Sequence, residues 1–134
     1  MKTGQRCFRD CRGTSTLEFI VVLPALLLIF LGAVEFSRAW MTLNVVTAAA
    51  REGARVGTVT NPFDAAPAIA RIDAVLTAAN LAAAARTVTC SGACAPDSTV
   101  TANVTVNFAT LFPIMLPGLQ GPFPLRSQAV MRFE

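Results

Sequence analysis

Residues 19–34 read FIVVLPALLLIFLGAV, sixteen positions without a charge. With Leu17 ahead of it, the run sits at the short end of the ~17–25 residues that span a bilayer as a helix. Two readings follow: the core of a secretory signal, or a membrane helix. A signal core runs only ~7–15 residues and ends at a small-residue cleavage site. This run passes straight into Glu35, Phe36, Ser37, Arg38 and then Trp40 with no A-x-A pattern, which favours the membrane helix over about residues 17–36. Arg6, Arg9 and Arg12 put its N-terminal side in the cytoplasm, and Trp40 stands where interfacial aromatics are expected.

Composition agrees. Hydrophobic residues make up 54% and charged residues 14% of the 134 positions, against roughly 45–50% and ~25% in soluble domains. The net charge of +3 resides in residues 1–13, where Lys2, Arg6, Arg9 and Arg12 face only Asp10. The rest balances seven arginines against seven acids. A nucleic-acid-binding face would need its basic stripe on the folded part. Histidine is absent, which removes the commonest general base and transition-metal ligand. With no P-loop, no Gly-x-Ser-x-Gly and no paired carboxylates, an enzyme is the least supported class. Asp64, Asp73 and Asp97 read as cap and turn residues.

Glu18 stands at the mouth of the apolar run, where a carboxylate is costly if carried into hydrocarbon. Taken alone it reads as an interfacial residue that stays wet. Its surroundings, Arg12-Gly13-Thr14-Ser15-Thr16-Leu17-Glu18-Phe19, resemble the processing site of type IV prepilins. There a membrane peptidase cuts after Gly, and Glu is the fifth mature residue. The resemblance implies cleavage between Gly13 and Thr14. Glycine offers an unhindered, extended backbone, and Glu18 then lies one helical turn from the new amine. In a filament that carboxylate would neutralise a neighbour's terminal ammonium.

The longer pattern is more specific. EFIVVLPALLLIFLGAVEF at residues 18–36, then SRAW, then AAAREGARVG at residues 48–57, resembles the TadE-like family of the tight-adherence (Tad/Flp, type IVb) pilus system. The likeness covers roughly residues 12–57 and extends weakly to the Met131–Glu134 ending. It implies a minor pilin, or pseudopilin, that takes part in pilus assembly for surface attachment and biofilm formation. Implied partners are a prepilin peptidase, other minor pilins, the major Flp pilin, the inner-membrane platform and membrane lipid. The implied place is the bacterial inner membrane, single pass, with the N-terminus cytoplasmic and the head extracytoplasmic; entry into the pilus itself stays open. Two alternatives stand beside it: an uncleaved single-pass anchor with a binding head unrelated to pili, and a secreted head. No cofactor is expected.

The organisation that follows is a leader over residues 1–13, a long helix over 14–58 and an α+β head over 59–134. Phe36, Trp40, Leu43, Val46, Ala50, Ala54 and Gly57 recur at spacings of three and four, one apolar helical face. Glu35 with Arg38, and Glu52 with Arg55, are spaced for i,i+3 pairs, and Arg51, Glu52 and Arg55 read as a solvated side. A helix from Ser15 to Thr58 is on the order of 65 Å long, with a kink expected at Pro24, which lacks the amide that would bond Ile20. Asn61-Pro62 breaks it. Asp64 is a plausible N-cap for a second helix, whose apolar positions Ile69, Ile72, Leu76, Ala79 and Ala83 predict a helix to about residue 83.

Then the period changes. Thr99–Phe108 alternates strictly, with Val100, Ala102, Val104, Val106 and Phe108 on one face, and predicts a strand. Shorter strands are expected at Thr87–Cys90 and Leu125–Phe133, the latter with Ala129, Met131 and Phe133 on one side. Three antiparallel strands with one apolar face need helical cover, so the expectation is a pilin-like α+β layout. Asn103-Val104-Thr105 matches a glycosylation sequon by chance. Leu111–Pro124, LFPIMLPGLQGPFP, is apolar but too rich in Pro and Gly for a helix or central strand. It reads as an irregular loop or as a surface for a neighbouring subunit. Cys90 and Cys94 flank a turn and are disulfide candidates if the head lies in an oxidising compartment. Free thiols are the alternative, and two cysteines make a poor zinc site. Cys7 and Cys11 belong to the leader.

Overall fold

The computed structural model describes residues 11–92, 94, 97–111 and 121–132, with side chains from Thr16 onward. Two helices precede three strands: α1 (Cys11–Val59), α2 (Ala65–Ala78), β1 (Ala83–Cys90), β2 (Thr99–Phe108) and β3 (Phe123–Arg132). The class is α+β, with a long apolar N-terminal helix, a second helix and a three-stranded antiparallel sheet. The chain divides into two compact units, Met1–Phe36 and Ser37–Glu134.

In the first unit the apolar side chains face outward. Phe19, Val21, Leu26, Ile29 and Phe30 are all exposed. The most apolar 18-residue window of α1 has a mean hydropathy of 2.7 and is 0% buried. By length and composition α1 can cross a membrane, and one such helix fits a single-pass anchor. It stays helical through Pro24, whose ring removes one helical hydrogen bond.

The second unit holds a closed core. Its sheet has the order β1-β2-β3, with β2 central and both pairings antiparallel. Val88, Ala102 and Ala129 align across the three strands. The inward row of β2, Val100, Ala102, Val104, Val106 and Phe108, is buried throughout. Against it pack Val46, Ala49, Ala50 and Ala54 of α1 and Ala68, Ile72 and Leu76 of α2. Alternation at period two and spacing at three and four thus meet in one apolar cluster. Arg38 of α1 lies over the Phe108 ring at 5.3 Å, a cation–π contact at the end of that row.

The apolar face expected on α1 needs correction at one end. Val46, Ala50, Ala54 and Gly57 are buried, but Phe36 and Trp40 are exposed at 70% and 58%. Periodicity finds the stripe but cannot say which part of it the protein itself covers.

The second helix is also shorter than expected. The Asp64 side chain accepts from the Ala66 N–H at 2.9 Å, a working N-cap, but α2 stops at Ala78. Asn80 takes φ 54. Its N–H donates to the Thr77 carbonyl at 3.0 Å, and the Leu81 N–H donates to the Leu76 carbonyl at 2.9 Å. These two bonds with a left-handed residue form a Schellman stop. Ala83, expected on the helix, therefore opens β1, which starts four residues before Thr87.

β2 spans the ten residues expected. β3 begins at Phe123, two residues before Leu125, and takes in Pro124. Proline survives there because β3 is an edge strand. Ala129 and Met131 pack on the core as expected; Phe133 and residues 112–120 of the proline-rich stretch lie outside the described residues.

Candidate functional site

The residues singled out for processing and assembly cluster at the start of α1. Gly13 and Thr14 lie within the helix, which starts at Cys11, so the backbone there is helical rather than extended. Glu18 and Phe19 are exposed one turn further on, and Pro24 lies in the same apolar run.

A second constellation lies where α1, α2 and the sheet converge, in AAAREGARVG at residues 48–57. Its small residues allow close approach. A Cβ on Gly53 would stand 2.5 Å from Ile72 Cδ1 of α2, and one on Gly57 would stand 2.9 Å from Val100 Cγ1 of β2. Ala49, Ala50 and Ala54 complete the buried stripe at 0% exposure. Ala49 and Gly53 were missing from the expected face. Their signal is the repeat of small residues at i+3 and i+4, which a search for large apolar residues passes over.

The charged side of that turn is held in place. Glu52 Oε2 accepts from Arg55 Nη2 at 3.2 Å and lies 3.6 Å from Arg71 Nε on α2. The Arg55 hydrogen bond, and then its charge, hold the Glu52 carboxyl below its ordinary value of 4.5, with a smaller pull from Arg71. The bridge to Arg71 adds an inter-helix tie to the i,i+3 pair read from the sequence. Residues read as a solvated face also orient α2.

The first constellation and the α1 part of the second up to Arg55 lie in the stretch that comparison picks out. Residues 13–55 match the family model of the TadE-like protein. The TadE-like match begins at Gly13, runs through the apolar span and ends just after the Gly53 contact, about a third of the chain. Searches of curated proteins and of solved structures returned no match. The TadE-like segment points to involvement in Tad pilus systems, to a structural role rather than a catalytic one, and to contacts with other pilus components.

The remaining features lie beyond the TadE-like segment. Cys90 and Cys94 face each other across the β1–β2 turn with Cα atoms 5.7 Å apart, within the span of a disulfide. Ser91 and Thr99 close the hairpin below them, with Oγ–Oγ1 at 2.9 Å. Arg132 of β3 pairs with Asp97 of the same turn. The sheet face turned away from the helices is polar. It carries a shallow depression of about 510 Å³ lined by Thr87, Asn103, Thr105, Arg126 and Gln128 among others. No group of three or more metal-ligating side chains occurs among the described residues.

Proposed function

We propose that the chain is a minor pilin, or pseudopilin, of a tight-adherence (Flp-type) pilus. A prepilin peptidase removes residues 1–13, Thr14 becomes the first residue, and Glu18 with Phe19 serves recognition and assembly. The observation that carries this reading is the family match starting at Gly13 and leading straight into an apolar helix with no buried surface of its own. Residues 17–36 sit in the bacterial inner membrane with the N-terminus cytoplasmic, beside other minor pilins, the major pilin and the assembly platform. The head lies outside the cytoplasm, where Cys90 and Cys94 form a disulfide. Glu18 neutralises the terminal ammonium of a neighbouring subunit where both enter the apolar bundle. Pro24 bends the span and eases extraction of the subunit into the fibre.

One observation favours a second reading, the uncleaved anchor: helical backbone at Gly13 has to unwind before a peptidase can use it. Intact mass of the membrane-extracted protein, with and without the cognate peptidase, separates the two. Loss of residues 1–13 only when the peptidase is present supports the pilin. Full-length mass in both samples supports the anchor. A cut near Ala33 or Ala39 gives a secreted head and ends both.

A further inference from the structure

The two edges of the sheet are not equivalent. On β1, a register shift between Ala83 and Ala85 breaks the ladder. α2 packs beside that strand, and Asp73 of α2 holds Arg86 of β1 at 2.9 Å. Bulges and covering helices are standard protections of a strand edge. β3 has neither. It pairs with β2 in unbroken register over ten residues, from Phe123 to Arg132, and lies last in the sheet order. Among the described residues nothing pairs with its outer edge, which presents a row of unused N–H and C=O groups, interrupted at Pro124.

The charges are asymmetric in the same place. The sheet carries three arginines: Arg86 pairs with Asp73, and Arg132 pairs with Asp97. Arg126, on the outer face of β3 and opposite Thr105, has no carboxylate partner among the described residues. The described acids of this unit are all engaged. Glu52 serves Arg55 and Arg71, Asp64 caps α2, and Asp73 and Asp97 serve the other two sheet arginines.

We infer that the open edge of β3 receives an extended strand of a different protein chain, bearing a carboxylate at an outward position beside Arg126. Main-chain hydrogen bonds supply the affinity of such strand addition, and alternate side chains supply the specificity. Pairing with a second copy is opposed by the same charge. Antiparallel pairing that keeps both apolar faces on one side sets Arg126 of one copy opposite or diagonal to an arginine of the other, within reach of cross-strand repulsion. A carboxylate on the incoming strand turns that repulsion into attraction, so one residue rejects the wrong partner and selects the right one.

The test uses the full-length chain in detergent and two seven-residue probes. One is acetyl-Val-Glu-Val-Thr-Val-Glu-Val-amide, and the other has Lys in place of Glu. Hydrogen exchange across β1 and β3 reports the edge used, and titration reports affinity. The acidic probe is expected to slow exchange on β3 only. Arg126→Glu is expected to weaken that probe ~10-fold and to reverse the preference toward the lysine probe, because a cross-strand attraction is replaced by a repulsion. Unchanged α2 exchange in the variant confirms that its fold is intact. Protection on β1, indifference of binding to Arg126→Glu, no binding, or self-association that protects β3 without any probe would each overturn the proposal. It stands apart from the pilin reading, which N-terminal processing tests by itself.

Discussion

The two ends of α1 share one helix and solve opposite problems. From Phe19 to Phe30 the side chains are mostly large, apolar on every side and exposed; after Ser37 the inward positions are Val, Ala and Gly and are buried. An all-round apolar helix has no face to hide, so its surroundings must supply the apolar contact. A one-sided helix lined with small residues relies on its own chain. It brings α2 and β2 near enough for Ile72 and Val100 to fill the gaps left by Gly53 and Gly57. Hydrophobicity alone ranks the first half as the better core, yet the core is built on the second half.

The comparison breaks most visibly if a large core residue is removed. Ile72→Ala takes a fully buried side chain from over Gly53 and is expected to destabilise the head by about 2–5 kcal/mol, measured by denaturant unfolding in detergent. The same change at Leu26, exposed in the apolar run, should leave head stability within about 0.5 kcal/mol. Equal losses at both positions would erase the distinction between the halves. Leu27→Arg tests the other side. It should cost about 2.5–3.5 kcal/mol of membrane insertion and shift the chain out of the membrane fraction while the head stays folded.

A smaller effect sharpens the picture of the second half. Gly53→Val places a branched side chain against Ile72 and should cost about 1–3 kcal/mol through overpacking, whereas Gly32→Val, with nothing within 4 Å of its Cβ, should be near neutral for the head. Asp64→Ala removes the N-cap of α2 and is expected to cost about 1 kcal/mol. The smallest effect is electrostatic. Because the folded-state pKa of Glu52 is lowered, its stabilising contribution is present above the ordinary value of 4.5 and is lost as pH falls through the lowered value. Glu52→Gln should therefore lower the head's stability slightly at neutral pH, leave it nearly unchanged at low pH where the carboxyl is already protonated, and so flatten the acid limb of the stability curve.

What the sequence made legible follows the strength of local signals. The alternation in Thr99–Phe108 specified β2 because each second residue is apolar and none is ambiguous. The start of α2 was legible in Asp64, but its end was not. Alanine fits helix and strand core alike, and the stop depends on Asn80 adopting a left-handed conformation that its neighbours do not announce. Phe36 and Trp40 fit a helical face by spacing, yet spacing does not tell a protein neighbour from another apolar surrounding. The site residues divide in the same way. Gly13, Thr14, Glu18 and Phe19 rest on a motif, since exposed side chains on a helix carry no geometry of their own. Gly53 could have been read from physics, as a position where only a hydrogen fits beneath Ile72. The tie from Glu52 to Arg71 joins residues far apart in sequence, and no local pattern reveals such a pair.

The small-residue stripe of α1 also has a consequence in time. Translation delivers Ala49, Ala50, Gly53 and Ala54 some fifty residues before Val100–Val106, the strand that covers them. Ile72 of α2, which covers Gly53, arrives first, and the rest of the stripe stays open until β2 follows. Alanine and glycine expose little apolar area compared with leucine or phenylalanine, so the waiting helix offers weak purchase to stray hydrophobic partners. Of the largest core side chains only Val46 precedes the stripe; Ile72, Leu76 and the valines of β2 arrive later. The head can thus be completed late without having carried an adhesive surface from the start.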